Sequence, residues 1–441
     1  MTSFFTKMQA FYAIMAGQIV STVGSSMTRF GLSIWVLNQT GDTVAYSILL
    51  FFSILPLGLG SLFAGPFVDR WNRRWVLISS DAIASLSTLV VALLYFADAL
   101  ALWHLYVAVA VNGVASSFSG PALEASVPLL VKQERLGQAS GLMQMSNSVQ
   151  LILGPVLGGL LVGTVGLGAI FLVDFVTFAA SITALALSVI PQPPRPQAQS
   201  PQESFWQEFL FGIRYVWRRP TFLYLMSIVT LAMLLMPGVG YALSAPIVLS
   251  FANEIAVGFA HAAFGIGALL GGFLLTIWGG PKRRMHGLLA SMGLASVAFV
   301  LVGLWESVTT ISLGYLLIGI TFVFVLGLNR VIWQLKAAPD VLGRVVSLRT
   351  ALGVGARSLG VLAAGPMAER FFEPLFMDRG SLVGNVGQFI GTGPGRGMAL
   401  MFILVGLLLG VLAVVSYLAP RLRMLEDLTP DFVPTVSAGA D

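Results

Sequence analysis

What this chain can fold into is limited most by a succession of long apolar runs, about twelve, each close to the roughly twenty residues a helix needs to cross a bilayer core. The runs begin near Phe11, Thr43, Trp75, Trp103, Gln138, Leu167, Thr221, Glu254, Gly287, Val308, Val345 and Arg396. Only 10% of the residues are charged and 57% are hydrophobic, where a soluble domain carries about a quarter charged residues. Most of the surface must therefore meet lipid. A closed barrel, the other way to span a membrane, reads as short alternating segments, and these runs are continuous. The expected fold is an all-α membrane protein with twelve transmembrane helices.

The net charge of +5 marks topology, not a nucleic-acid partner. Lysines and arginines gather in alternate loops: Lys7; Arg70, Arg73 and Arg74; Lys132 and Arg135; Arg195, Arg214, Arg218 and Arg219; Lys282, Arg283 and Arg284; Lys336 and Arg344; Arg421 and Arg423. The loops between hold acids or nothing, as at Asp42, Asp98, Glu254 and Glu306. The loop around Arg370, Arg379 and Arg396 breaks the alternation, and it also carries Glu369, Glu373 and Asp378. The positive-inside rule then places both termini on the cytoplasmic side of the inner (cytoplasmic) membrane. With no cysteine in the chain, disulfides, thiol catalysis and zinc–thiolate sites are excluded. The first span is too long for a signal peptide's apolar segment and reads as a retained helix.

A break in composition at Pro191–Pro220 divides the spans six and six. It opens with Pro191, Pro193, Pro194 and Pro196, which forbid helix and read as an extended tether. Beyond it, Phe205, Trp206, Phe209, Leu210, Ile213 and Trp217 recur near helical spacing. Such a helix either lies on the anionic inner leaflet or packs on the protein's own cytoplasmic face. The expected organisation is an N-terminal six-helix bundle over residues 1–190 and a cytoplasmic linker over 191–220. A C-terminal bundle over 221–420 and a cytoplasmic tail over 421–441 follow. The halves also resemble each other. A shift of 207 residues lays Gly58, Gly60, Leu62, Gly65 and Trp71 over Gly265, Gly267, Leu269, Gly272 and Trp278. A shift of 206 lays Leu136, Gly137 and Leu142 over Leu342, Gly343 and Leu348. A parallel repeat implies a pseudo-twofold axis along the membrane normal, with any path between the halves.

Between the second and third spans stands a short charged hairpin, Gly65-Pro66-Phe67-Val68-Asp69-Arg70-Trp71-Asn72-Arg73-Arg74. It resembles the loop motif of the major facilitator superfamily, with Gly65, Asp69, Arg70, Arg73 and Arg74 on its fixed positions. Asn72 replaces the usual glycine and is expected to keep the turn, since Asn tolerates the left-handed region. Asp81, near the start of the third span, is expected to meet Arg70 or Arg73 and extend this cytoplasmic latch. In the second half Thr276 and Ile277 replace the acid and first base while Lys282, Arg283 and Arg284 remain, so the latch is expected mainly in the first half. In the fifth span, Gly154-Pro155-Val156-Leu157-Gly158-Gly159 is similar to the antiporter signature of drug-exporting members. There glycines and a proline shape a helix at the interface between halves. Thr28-Arg29-Phe30-Gly31-Leu32, Val173-Asp174-Phe175, Gly343-Arg344-Val345 and Ala364-Gly365-Pro366 resemble the branch of macrolide and siderophore exporters. The stretch from Gly393 to Arg423 resembles transporters of nonribosomal peptide pathways. The resemblance implies a substrate path lined by the first, fourth, fifth, seventh and tenth spans. Gln18, Asn112, Gln144, Asn147, Tyr241, Asn329 and Trp333 are its candidate lining residues.

Charges inside spans are costly by a few kcal/mol and need a partner or a task. Arg29 and Asp174 lie at similar depth, roughly 10 Å inside the outer face by helical rise, and are expected to pair. Two roles stand for Asp174: a static brace, or a carboxylate protonated in one state that couples transport to protons. Glu124 and Arg330 are related by the 206-residue shift and could face each other as an inner gate. Arg349 can snorkel to the cytoplasmic face, whereas Arg357 is deeper and either attracts an anion or balances an acid. Pro237, Gly238 and Gly240 mark the seventh span as a hinge.

No G-x-x-x-x-G-K-[ST] loop is present, so ATP does not drive the chain directly. The glycine-rich stretch Gly391–Gly397 follows no strand and reads as a turn. His104, His261 and His286 lack metal-ligand spacing, and no enzyme, metal or cofactor is expected. Taken together, these features predict a secondary exporter of amphipathic small molecules working by alternating access, proton-coupled and monomeric among membrane lipids. An uptake carrier, a lipid flippase or a non-transporting receptor on the same fold are the alternatives.

Overall fold

In lipid every backbone N–H and C=O must be satisfied within its own segment, and the long apolar runs answer with helix. The computed structural model describes residues 7–188, 190, 205–377 and 380–428, and among them there is no strand. The long helices are labelled α1 to α12. The first half holds α1 (Lys7–Thr40), α2 (Thr43–Arg70), α3 (Arg73–Phe96), α4 (Leu102–Leu130), α5 (Leu136–Thr164) and α6 (Leu167–Leu187). The second holds α7 (Pro220–Leu249), α8 (Glu254–Trp278), α9 (Arg284–Leu304), α10 (Val308–Lys336), α11 (Pro339–Met367) and α12 (Arg396–Leu418). Among the described residues, 10 helices are long and apolar enough to cross a membrane. The other two, α1 and α4, are long enough at 34 and 29 residues. Their hydropathy is diluted by interior polar residues such as Gln18, Ser21, Asn112 and Ser117.

Capping chemistry sets several boundaries. Asp42 accepts from Val44 N and Ala45 N at the start of α2, and Asn253 accepts from Ala256 N at the start of α8. Asn72 corrects the sequence expectation. It is extended, with φ −69° and ψ 112°, and its side chain accepts from the N–H groups of Arg74 and Trp75. Asn here is a helix cap, a task a glycine side chain cannot perform, and not a left-handed turn residue. In α7 the ladder loosens into a π turn over Leu235–Gly240, where Pro237 supplies no N–H. The π turn falls on the residues where a hinge is expected.

The internal repeat reappears in the packing. In the first half α1 packs on α5 and α6, α2 on α4, and α3 on α4 and α6. In the second half α7 packs on α11, α8 on α10, and α9 on α10 and α12. Two antiparallel seams join the halves, α5 against α8 and α2 against α11. The molecule is thus two pseudo-symmetric six-helix bundles. The linker helix Phe205–Trp217 sets Gly212 against the Arg344 carbonyl of α11, where a β-carbon would come within 3.1 Å. The Arg344 guanidinium lies 4.6 Å from the Phe211 ring centroid. Leu210, Ile213 and Trp217 remain exposed on its outer face. The helix packs on the protein and still presents an apolar surface.

Candidate functional site

Three side chains from both halves converge in the middle of the molecule. On α1, Arg29 is exposed although its neighbours Thr28 and Phe30 are buried. It lies within electrostatic reach of Tyr241 on α7, so it points between the halves and not into lipid. From α11, the Arg357 guanidinium lies 5.5 Å from the Tyr241 ring centroid, and its Nε has no hydrogen-bond partner. Among the described residues neither arginine has a carboxylate at ion-pair distance.

A second layer lies beside this trio. His261 of α8 packs against Phe30 and Tyr241, with ring centroids 5.8 and 6.2 Å apart. Its Nε2 is 2.9 Å from Ser244 Oγ. Tyr315 of α10 donates to the Ser244 carbonyl at 3.3 Å. The buried Tyr46 hydroxyl reaches across from α2 to Ser244, with Ser33 of its own half beside it. Sequence reasoning singled out Tyr241 and His261 but missed Tyr46, Ser244 and Tyr315. Single tyrosines and serines in apolar runs carry no spacing signal.

Arg29 and Asp174, expected to pair, act on each other electrostatically but are not at ion-pair distance. Asp174 is buried on the α1–α6 seam, where Oδ2 accepts from Thr28 Oγ1 at 2.6 Å and Oδ1 has no hydrogen-bond partner. Gly24 makes room for it, since a β-carbon there would meet Asp174 Oδ1 at 2.9 Å. Thr28 and Arg29 are successive residues turned about 100° apart on the helix, so the acid takes the seam and the base takes the gap. Asp81 likewise departs from expectation. It does not extend the hairpin but accepts from Gln18 Nε2 at 2.9 Å and Ser181 Oγ at 2.8 Å, inside the first bundle. Gln18 is therefore not a lining residue. Asn329 and Trp333 are also buried, joined by a Trp333 Nε1–Asn329 Oδ1 bond of 3.1 Å, with Trp333 against Phe222. Asn112 donates to Ser87 Oγ of α3 at 3.2 Å. Gln144 and Asn147 are exposed on α5.

In the hairpin, the side chains of Gly65 and Asp69 lie outside the described part. Arg73 donates to the Ala125 carbonyl at 2.7 Å, and Arg74 donates to the carbonyls of Leu185 and Ala186 at the end of α6. The second-half hairpin has a latch that the sequence did not reveal. Its missing acid is supplied after α12, by Glu426 and Asp427. Arg284 lies 3.8 Å from Glu426 and Arg283 3.8 Å from Asp427. Glu426 Oε2 accepts from Met285 N at 3.1 Å, and its carbonyl accepts from Lys336 Nζ at 2.7 Å.

The two ends of the molecule differ. At the end remote from the hairpins the halves are tied. Asn38 donates to Glu254 Oε1 at 2.9 Å, and Glu369 Oε2 accepts from Thr43 N at 3.1 Å. The seams close on small residues. A β-carbon at Gly159 would lie 2.8 Å from the Glu254 carbonyl, and one at Gly258 would lie 2.5 Å from the Pro155 carbonyl. On α2 and α11 the same holds for Gly365 against Ser47 and for Gly58 against Val354. Gly154 and Gly158 face α1, at Ser26 and Phe30, so the α5 glycine motif serves two neighbours. At the hairpin end the packing is looser: added β-carbons at Gly137, Gly141 and Gly343 would meet nothing. Glu124 and Arg330 are both exposed there, and among the described residues no ion pair joins them.

The sequence matches the Major Facilitator Superfamily over residues 14–361. Macrolide efflux protein A of Streptococcus pyogenes is 26% identical over 365 residues, covering 82% of this chain and 89% of that protein. Multidrug efflux pump Tap of Mycolicibacterium fortuitum is 25% identical over 437 residues, covering 96% and 98%. A bacterial homologue of the human lysosomal transporter Spinster, crystallised inward-facing and unoccupied, superposes with a TM-score of 0.70 at 16% identity. It covers 97% of this chain and 99% of that one, a likeness that speaks to the fold alone.

Proposed function

This chain belongs to the Major Facilitator Superfamily, and from that premise we propose that it exports amphipathic small molecules from the cytoplasm by alternating access, exchanging them for protons. The observation that carries the reading is the polar and aromatic cluster of Arg29, Tyr241, His261 and Arg357 between two bundles tied at the end remote from the hairpins. Hydropathy and the positive-inside rule assign the hairpin end to the cytoplasm. The ties at the opposite end support reading this conformation as the inward-facing member of an alternating pair. The named efflux relatives support the outward direction.

The coupling proton belongs on Asp174. Its one unsatisfied oxygen sits one helical step from Arg29, so protonation there changes the field felt by a cavity group without breaking the α1–α6 seam. Everted vesicles holding the protein should accumulate a fluorescent amphipathic drug when a proton gradient is imposed, and a protonophore should stop them. Asp174→Asn should abolish that gradient-driven uptake while leaving folded protein in the membrane. Undiminished proton-driven flux in the variant would remove Asp174 from this role, and flux indifferent to the gradient would overturn antiport.

A further inference from the structure

The charged side chains between the bundles are mostly basic. Arg29 and Arg357 approach Tyr241 from opposite halves, and neither has a carboxylate at ion-pair distance among the described residues. Two more bases continue from Arg357 toward the hairpin end. Arg349 precedes it by eight residues on α11, roughly 12 Å at helical rise. Arg330 of α10 is close enough to Arg349 for the two to repel. Arg349 Nη1 and Arg357 Nε are both buried without a hydrogen-bond partner. The nearby acids balance this row only in part. Asp174 bonds Thr28 and acts on Arg29 electrostatically without ion-pair contact, and among the described residues the exposed Glu124 of α4 has no base at ion-pair distance.

Like charges gathered between the bundles, two of them with buried donors left unused, cost free energy unless something of opposite sign arrives. Arginine is suited to that arrival, since its planar fork binds carboxylate, sulfonate or phosphate through two parallel hydrogen bonds. The rings of Tyr241, His261 and Phe30 beside it offer a flat apolar wall.

We infer that the cavity selects an anionic aromatic amphiphile, its acid group held between Arg29 and Arg357 and its ring against Tyr241, with Arg349 and Arg330 drawing it in from the cytoplasmic end. The inference rests on reading this gap as the substrate path, and it departs from a general drug site by fixing the sign of the cargo.

Fluorescein and rhodamine 123 share a fused three-ring frame and carry opposite charge, so their comparison isolates that sign. Binding to the purified full-length protein, followed by fluorescence anisotropy, should favour fluorescein at least about tenfold, the worth of one charge-assisted hydrogen bond. Arg29→Gln and Arg357→Gln should each weaken fluorescein about tenfold and leave rhodamine 123 unchanged or tighter, whereas Arg357→Lys should keep part of the preference. Raising the salt concentration should weaken fluorescein alone. Fluorescein that fails to bind, binds no tighter than rhodamine 123, or loses affinity in step with it across the variants overturns the inference. The wild-type comparison stands even where a variant fails to fold. Anion-selective binding without gradient-driven flux in vesicles would count against the export reading only, and flux of rhodamine 123 with weak fluorescein binding would count against the anion alone.

Discussion

Asp81 shows how far a single residue's chemistry can be read from sequence. A carboxylate in an apolar run demanded a partner, and that demand was legible. The partner was not, because Gln18 and Ser181 lie 63 and 100 residues away and the hairpin arginines were the nearer candidates. Arg73 and Arg74 instead find backbone carbonyls of α4 and α6, which have no residue-type signature at all. Asn72 was legible as a turn residue but wrongly as a left-handed one. Asp81→Ala should strand the Gln18 amide and the Ser181 hydroxyl, although these two also bond each other at 2.9 Å. Leaving buried donors short of an acceptor costs about 2 kcal/mol, so the thermal midpoint in detergent should drop by several degrees. An unchanged midpoint would show that the Gln18–Asp81–Ser181 triad adds nothing to stability.

At the scale of elements, helix starts were the most accessible feature. Thr43, Leu167, Glu254, Val308 and Arg396 were each placed at the residue where a helix begins. An acid or small polar group beside an apolar run is a local signal with a local cause. Helix faces were less accessible, since α5 is apolar nearly all round and its glycine motif could serve any neighbour. The structure divides it, with Gly154 and Gly158 toward α1 and Gly159 toward α8. Gly159→Leu should therefore wedge the α5–α8 seam without disturbing the first bundle. Overpacking costs about 1–3 kcal/mol, which shifts a two-state equilibrium roughly tenfold or more. The chain has no native cysteine, so Asn38→Cys with Glu254→Cys reports closure of that end directly. The yield of this cross-link should fall several-fold in the Gly159→Leu background, and an undiminished yield would place the conformational control elsewhere.

For the whole molecule, the twelve-helix reading followed from run length, and the pairing of halves from two nearly equal sequence shifts. The central cluster was only partly visible. Arg29, Tyr241, His261 and Arg357 stood out as polar groups in apolar company, while Tyr46, Ser244 and Tyr315 needed three dimensions. The gate proposed for Glu124 and Arg330, which are both exposed here, would need a conformation in which the hairpin end has closed. Reversing either charge alone should slow flux about tenfold or more, by the penalty for like charges brought together. Glu124→Arg with Arg330→Glu should recover most of it, and the lack of any recovery would assign the two residues separate roles. The brace on the second-half hairpin carries a different consequence, one concerning how the protein is made. Glu426 is synthesised 141 residues after the Met285 amide it holds, and only once α12 has been threaded. A chain in which α12 failed to insert would deliver Glu426 and Asp427 to the wrong side of the bilayer and leave Arg283 and Arg284 without them. The brace thus closes only when the tail after α12 returns to the face that carries Arg283 and Arg284.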